Sequence, residues 1–373
     1  MSNFVQMYAC CIPVKGYKRS LIYDLQRPQN SNFIPNDMYD IIVDFRNKSI
    51  EEIKRLYQYQ YNEEIDSYFH FLLENNFAFV LQKNELNNFP PLENIWESPS
   101  EITNSIIYVS KKNIKYLNLL LKQLSDLRCD AVQFCFTDNI TIEHIHILGK
   151  QLELLRILSV EILFNYNDLL NISDMLSVID KYPRIRRVGI GNCPQEFSCT
   201  DKRLYCTINQ IDWENGCGNI SSQYFSIGME MFFESQHHNT CLNRKICIDM
   251  NRNIKNCPFM KQSFGNIKNT TLKEAIVKQG FKDFWFICKD NIEVCKNCEF
   301  RYMCTDCRCY IKQPANIYSP PSKCTYNPYI TLWKHQKHYV PIEECGYFDK
   351  SFRFVPDYEK IDMLNKTIWG DKE

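Results

Sequence analysis

The sequence predicts an α/β protein, and three observations carry this prediction. Four short apolar segments between residues 105 and 190 alternate with stretches of helical periodicity, which is typical of parallel β-α units. Strand-like and helix-like segments precede them, and eight regularly spaced cysteines follow in the last third of the chain. With 373 residues, the chain can bury a sizeable core without disulfide bonds.

Residues 1–95 are predicted to form a first domain. The Lys15-Gly16 pair lies between two strand-like runs, and glycine gives the backbone freedom that a hairpin turn needs. Ser49 and Glu52 make an S-x-x-E capping box at the start of a helix. Strands, three helices and a closing strand in this order predict a small winged-helix unit. We expect strands at 4–14 and 19–25, helices beginning near 36, 49 and 62, and a strand at 77–81.

Residues 96–235 are predicted to form a second domain, with the alternating pattern. Because strand–helix–strand crossovers are right-handed, this pattern predicts a parallel sheet, as in a partial β/α barrel. The expected strands lie at 105–109, 131–136, 160–164 and 186–190, and the expected helices at 113–127, 142–155 and 168–179.

The cysteine spacing is the most specific feature of the chain. The first three cysteines read C-x5-C-x9-C, the next four read C-x2-C-x5-C-x2-C, and the last follows after sixteen residues. Iron-sulfur clusters are normally held by four thiolates each, so eight cysteines suffice for two clusters. The eight are Cys241, Cys247, Cys257, Cys295, Cys298, Cys304, Cys307 and Cys324.

Two other uses of cysteine compete with iron-sulfur binding: structural zinc and a disulfide framework. The start, MSNFVQMYACC, has no basic region before an apolar stretch, and the sequence has no run of eighteen apolar residues. We therefore expect a cytoplasmic chain with reduced thiols, which argues against disulfides and leaves zinc as the alternative. The other cysteines, among them Cys10, Cys11, Cys135 and Cys217, are expected to be small buried hydrophobes.

The cysteine pattern resembles that of a SPASM domain, the auxiliary-cluster module of radical S-adenosylmethionine enzymes that modify peptides. The resemblance covers residues 236–330 and implies two iron-sulfur clusters of the 4Fe-4S type. It also implies that residues 331–373 are an extension packed on the barrel or on the SPASM domain. Cys309 is an alternative to Cys307, because the family has three residues before the last central cysteine. The implied ligands are Cys241, Cys247, Cys257 and Cys307 at one site, and Cys295, Cys298, Cys304 and Cys324 at the other.

A radical S-adenosylmethionine enzyme also needs a C-x3-C-x2-C loop, and this chain has none. The segment 109–113, after the first predicted barrel strand, contains no cysteine. We therefore expect a degenerate radical-enzyme barrel that does not bind S-adenosylmethionine tightly. Over nearly its whole length, the chain resembles the SPASM protein of grasp-with-spasm systems, which occurs with an ATP-grasp ligase and a short precursor peptide.

The resemblance implies an accessory role in ribosomal peptide maturation. The first domain is similar to PqqD-like elements, which bind leader peptides by strand addition, and we expect this addition beside residues 19–25. The alternative for that domain is that it only packs against the barrel. With 44 basic and 44 acidic residues and no basic stripe, the chain is not expected to bind nucleic acid, and no membrane contact is expected. We identify no catalytic residues; the alternative function is a catalytically active radical or redox enzyme that modifies the peptide.

Overall fold

A computed structural model describes residues 4–168, 171–199, 203–213 and 215–370 of the chain. The chain divides into two compact units, and each of them is discontinuous in sequence. Unit 1 contains Met1–Trp96, Ile220–Thr240 and Ile287–Glu373, and unit 2 contains Glu97–Asn219 and Cys241–Phe286. The eight predicted cysteine ligands are therefore distributed over both units.

Unit 1 begins with strands and then three helices, as predicted, but the expected strand at 4–14 is two strands in different sheets, and a further strand precedes the first helix. Strand β1 pairs with β5 and has an isolated bridge from Phe4 to Ser49, and β2, β3 and β4 form a three-stranded antiparallel sheet. The elements are β1 (Phe4–Met7), β2 (Cys11–Lys15), β3 (Ser20–Asp24), β4 (Asn32–Ile34), α1 (Asn36–Asp44), α2 (Ile50–Leu56), α3 (Asn62–Glu74) and β5 (Ala78–Leu81).

The three predicted helix starts are confirmed. The predicted capping box is present at α2, where the Ser49 side chain accepts from the backbone N–H of Glu52 and the Glu52 carboxylate accepts from the N–H of Ser49. The apolar faces of the helices meet in one core, which explains why their periodicity predicted them. That core includes Met38, Ile41, Ile53, Ile65, Phe69 and Leu72.

The expected site of strand addition, beside residues 19–25, is wrong. Strand β3 is the central strand of its sheet: β2 pairs with one edge, and β4 pairs with the other edge over Ser20–Ile22. Ile22 is fully buried between them. In the described residues, β2, β4 and β5 each keep an edge that pairs with no other strand, and β1 keeps one beyond the bridge from Phe4 to Ser49.

Unit 2 is built on an eight-stranded, mostly parallel sheet in the order β10-β11-β9-β8-β7-β6-β12-β13. The alternation of strands and helices predicted for 105–190 is confirmed, and helices α4, α5 and α6 connect the parallel strands. The elements are β6 (Asn104–Val109), α4 (Leu117–Asp126), β7 (Ala131–Phe136), α5 (Ile142–Glu153), β8 (Ser159–Asn165), α6 (Ile172–Lys181), β9 (Ile185–Gly191), β10 (Phe197–Cys199) and β11 (Leu204–Cys206).

Helix α7 (Met229–His237) belongs to unit 1, and the chain then returns to the sheet of unit 2. Strand β12 (Lys245–Ile248) pairs in parallel with β6, and β13 (Ile254–Lys255) closes that edge. Helix α8 (Leu272–Ile276) follows. The sheet therefore gains its edge from a segment distant in sequence.

The two faces of the parallel sheet differ in chemistry. Since side chains alternate along a strand, Val132, Phe134 and Phe136 share one face, which is buried. The opposite face carries a polar row in which Gln133 Nε2 donates to Glu161 Oε2 (2.6 Å) and Arg187 Nε lies 3.3 Å from Glu161 Oε1. Cys247 of unit 2 also lies on this second face, because it pairs with Ile106 of β6, which is in register with Gln133.

The last part of unit 1 has little regular structure until its end. Between residues 287 and 325, short 3-10 turns and isolated bridges are the secondary structure present. This segment packs on the N-terminal sheet, where Tyr23 Oη donates to the carbonyl of Glu299 (2.7 Å). The closing elements are β14 (Tyr326–Asn327), β15 (Leu332–Trp333), β16 (Gly346–Phe348), β17 (Phe354–Pro356) and α9 (Tyr358–Trp369). None of the helices in the described residues is long and apolar enough to cross a membrane.

Candidate metal centres

Three cysteines of unit 1, Cys295, Cys304 and Cys324, interact with the buried side chain of Lys289, which is 4% exposed. Its Nζ lies 3.5 Å from Cys304 Sγ. Burial by itself lowers the pKa of Lys289, but Cys304, Cys295, Asp306 and Cys324 outweigh burial and raise the pKa. Cys298 interacts in turn with Cys295 and Cys304. The structure thus brings together the second predicted ligand set, named here the unit-1 thiols: Cys295, Cys298, Cys304 and Cys324.

The C-x2-C turn predicted from the sequence positions two of these thiols. Residues Cys295–Asn297 form a 3-10 turn, and the N–H of Cys298 donates to the carbonyl of Cys295 (2.9 Å). Cys295, Cys298 and Cys324 line one cavity of about 40 Å³, together with Lys312, Pro320 and Pro321. Three thiols of the set therefore border the same void, which is what a shared metal centre needs.

The buried charges beside the unit-1 thiols do not cancel. The Arg308 guanidinium donates to both oxygens of the Asp306 carboxylate, at 2.5 and 2.8 Å, and Asn239 Nδ2 donates to it at 2.6 Å. Lys289 Nζ lies 3.4 Å from the same carboxylate. Two buried cations thus share one carboxylate. An unpaired buried charge is costly, so an anionic group beside Lys289 would stabilise this arrangement.

Burial controls the protonation of the unit-1 thiols. It raises the pKa of Cys295 to about 12 and that of Cys304 to about 11, although Lys289 opposes the shift in both cases. Without a metal, these side chains are therefore neutral thiols at physiological pH. Metals bind the thiolate form, so binding here would release protons.

Three predicted ligands of unit 2 lie around a second lysine. Lys245 Nζ donates to Cys241 Sγ at 3.5 Å. Burial lowers the pKa of Lys245, but Cys241, Cys247 and Cys257, with Cys217, raise it above its ordinary value. We name Cys241, Cys247 and Cys257 the unit-2 thiols. Both sets of thiols therefore have a lysine whose Nζ lies 3.5 Å from the sulfur of one cysteine.

The side chain of Asn256 explains how the unit-2 thiols converge. Its Nδ2 donates to the carbonyls of Leu242 (3.0 Å) and Lys245 (2.7 Å), which ties the segment after β13 to the start of β12. The Cys247 thiol donates to the carbonyl of Asn256 at 3.4 Å. One buried amide thus holds together the segments that carry all three cysteines.

The fourth ligand that the family resemblance implies for the first site, Cys307, belongs to unit 1, as does its alternative Cys309. The ligand set taken from the resemblance therefore draws on both units. Cys217 belongs to unit 2 and interacts electrostatically with Cys241 and Cys257. The sequence predicted Cys217 to be a small buried hydrophobe, since no short spacing connects it to another cysteine; in the structure it is half-buried.

Among the described residues, no three sulfurs of either set all lie within 4.8 Å of one another. Four sulfurs on one zinc ion at about 2.3 Å would lie about 3.8 Å from one another. Within the described residues, the group of three or more candidate ligand atoms that lie within 4.8 Å of one another is Cys10, Cys11 and Asp24. None of the predicted ligands belongs to it.

The side chain of Asn113 forms hydrogen bonds with backbone groups of the loop after β6. Asn113 Oδ1 accepts from the N–H of Ser110 (2.7 Å), and Asn113 Nδ2 donates to the carbonyl of Tyr108. Because Asn113 is buried and closes the loop on itself, the loop is compact. This compact loop, 109–113, contains no cysteine and therefore no ligand for a cluster.

Fold and sites together define the class of this protein: a mixed α/β protein with a largely parallel eight-stranded sheet and clustered buried cysteines. Comparison with known proteins adds no family, since no family model, no curated protein and no solved structure matches the chain.

Proposed function

We propose that this protein binds two iron-sulfur clusters and serves as an accessory protein in ribosomal peptide maturation, acting on a precursor peptide together with an ATP-grasp ligase. The observation that carries the cluster assignment is the grouping of the unit-1 thiols: three of them interact with Lys289, and Cys298 lines one cavity with Cys295 and Cys324. Their carrier segment, 287–325, has no helix or strand of its own beyond short 3-10 turns and isolated bridges. A metal centre would supply the cross-links that this segment lacks.

The spacing of the thiols favours a cluster over zinc. In a four-iron cluster each thiolate binds a different iron, so the sulfurs stand further apart than around one zinc ion. Lys289 and Lys245 would offset the negative charge that four thiolates bring. Such a cluster, when bound, would supply cross-linking and one-electron chemistry. The residues of this chain hold it, screen it from water and balance its charge.

The peptide-binding part of the proposal rests on a cavity within unit 1. It has a volume of about 430 Å³ and lies beside the unpaired edges of β1 and β2. An extended peptide could pair with either edge through its backbone, while the cavity accepts its apolar side chains. Its lining includes Val5, Met7, Ala9, Ile12, Phe232 and Phe233. This location replaces the one beside β3, whose edges are both occupied.

Metal analysis tests the cluster assignment. Chain purified without oxygen is expected to contain about eight iron and eight sulfide, if both centres are four-iron clusters. The Cys298→Ala variant is expected to contain about half of each. Stoichiometric zinc without acid-labile sulfide would refute the assignment. Reductive cleavage of added S-adenosylmethionine, above the rate without protein, would refute the accessory role in favour of a radical enzyme.

Peptide binding is tested with the full-length chain, because the N-terminal strands share a core with residues of the 298–303 segment. Ala9→Phe fills the cavity beside β1 and is expected to weaken binding of a labelled precursor peptide at least tenfold. Val80→Phe is the matched control, since Val80 is exposed on β5 and lies outside the cavity lining. Equal affinities of the two variants would place the peptide elsewhere.

A further inference from the structure

We infer that Cys217 is the fourth ligand of the unit-2 centre, so that Cys217, Cys241, Cys247 and Cys257 together bind one iron-sulfur cluster. The inference rests on the proposed cluster function and replaces Cys307, the ligand taken from the family resemblance. Each unit would then contain a complete four-thiol centre. The cysteine spacing does not indicate this residue, but the course of the chain does.

The chain after β11 runs back along the sheet and brings Cys217 towards β6. The N–H of Asn192 donates to the carbonyl of Asn209 (2.9 Å), and the N–H of Ile211 donates to Asn165 Oδ1 at the end of β8 (2.9 Å). Gly191 allows this approach, because a Cβ there would lie 2.6 Å from the Ile211 side chain. The segment is thus anchored on β9 and then on β8.

A second anchor lies on β6. The Tyr108 hydroxyl donates to the carbonyl of Trp213 (3.2 Å), and the two rings meet edge to face with centroids 6.0 Å apart. Tyr108 shares a sheet face with Ile106, and Ile106 pairs with Cys247 of β12. The contact with Tyr108 therefore places the Trp213 segment over the face that carries Cys247.

A tight turn then presents the cysteine. Asp212 Oδ1 accepts from the N–H of Asn215 (2.8 Å), and the Asp212 carbonyl accepts from the N–H of Gly216 (3.0 Å). A Cβ on Gly216 would lie 2.5 Å from that carbonyl oxygen, so glycine is required for this close approach. Gly218 has φ +82°, a backbone conformation that favours glycine. Cys217 lies between these two glycines.

The electrostatic interactions of Cys217 are those of a thiol close to the unit-2 thiols. Cys217 interacts with Cys241 and Cys257, and Lys245 interacts with Cys217 and with all three unit-2 thiols. Tyr108 interacts with Cys135, and also with Cys217, Cys247 and Cys257. Four cysteines thus interact with Lys245 of β12, as three of the unit-1 thiols interact with Lys289.

Cys135 is the rival ligand within unit 2, since it pairs with Tyr108 across β6 and β7 and interacts with Cys217 and Cys247. Its thiol donates to the Gln133 side-chain oxygen at 3.7 Å on its own strand. Cys135 therefore provides a matched control: a buried cysteine on the same sheet face whose removal should leave the centre intact.

The test uses the full chain carrying Cys298→Ala, which removes the unit-1 cluster. The iron and sulfide that remain then measure the unit-2 centre alone. This parent is expected to contain about four iron and four sulfide. Adding Cys217→Ala is expected to remove nearly all of both, whereas Cys135→Ala or Cys307→Ala leaves them unchanged. Circular dichroism verifies folding. Cys217→Ser, which keeps an oxygen ligand, is expected to retain a cluster with a changed electron paramagnetic resonance signal, unlike a cysteine that only packs.

The outcomes separate this inference from the proposed function. A wild-type chain without iron and sulfide overturns the function, and the ligand assignment with it. A parent with four iron that keeps them after Cys217→Ala, or loses them after Cys135→Ala or Cys307→Ala, overturns the assignment alone.

Discussion

The unit-1 and unit-2 thiols occupy contrasting structural settings. Of the unit-2 thiols, Cys247 lies on β12, within an eight-stranded sheet, and Cys241 and Cys257 lie in a turn and a bend that flank β12 and β13. The unit-1 thiols are carried by residues 295–324, where the structure contains turns and isolated bridges. A metal in unit 2 would be added to a sheet that already has its own hydrogen bonds. In unit 1 it would take the place of regular structure. Loss of a metal centre should therefore affect folding more in unit 1 than in unit 2.

Removal of metal should reveal this contrast most strongly. After anaerobic treatment with an oxidant and a chelator, we expect residues 287–325 to lose most of their protection against hydrogen exchange, because metal binding there is coupled to folding. Strands β6 to β9 should keep theirs, since backbone pairing and a buried apolar face hold them. Mass spectrometry of exchanged peptides measures both regions in one sample. Equal loss in the two regions would show that both centres support the fold alike.

Sequence reasoning succeeded where the determinants were local. The strands and helices of 105–190 and the capping box of α2 each depend on residues within one element, and their patterns predicted them. The turn at Cys295 and Cys298 is also local, because two intervening residues fix its size. These are interactions whose geometry is set by neighbouring positions in the sequence.

The features that sequence reasoning missed depend on distant segments. Lys245 of β12 pairs with Asn104 of β6, and no periodicity relates the two segments. Strand β4 has three residues, too few for a recognisable alternation, yet it occupies the edge of β3 that was expected to bind a peptide. Cys217 reaches its neighbours through contacts with Asn165 and Tyr108, on two different strands. Pairings of this kind follow from the tertiary fold and leave no local signal.

The buried charges of unit 1 give the next largest effect. Asp306→Asn would leave Lys289 and Arg308 as two buried cations without their shared carboxylate. We expect a loss of about 3–5 kcal/mol in the free energy of unfolding, as for other broken buried ion pairs. In unit 2, Asp249→Asn weakens a less buried pair with Lys255, at 2.9 Å, and should cost about 1 kcal/mol. Denaturant titration of both variants measures the difference, and equal losses would contradict it.

The two lysines should have comparable effects on the clusters despite their different surroundings. Lys289→Met and Lys245→Met each remove a cation whose Nζ lies 3.5 Å from a cysteine sulfur. Loss of this charge disfavours the reduced, more negative cluster, so each variant should lower one midpoint potential by about 100 mV, equal to about 2 kcal/mol per electron. Redox titration followed by electron paramagnetic resonance separates the two signals. An unchanged potential would mean that the lysine does not interact with the cluster.

The smallest effect is expected at the third group of candidate ligands, Cys10, Cys11 and Asp24, whose ligand atoms lie within 4.8 Å of one another. Burial raises the pKa of Asp24, but hydrogen bonds from Arg27, Asn30 and Gln26 outweigh burial and lower it. The Arg27 guanidinium lies 2.8 Å from this carboxylate and supplies the positive charge that a metal would otherwise bring. Cys10→Ala should therefore leave iron, sulfide and zinc content unchanged, as measured by elemental analysis beside Cys298→Ala. A loss of one metal ion per chain would show that close spacing alone is enough to bind metal, and that a neighbouring cation does not prevent it.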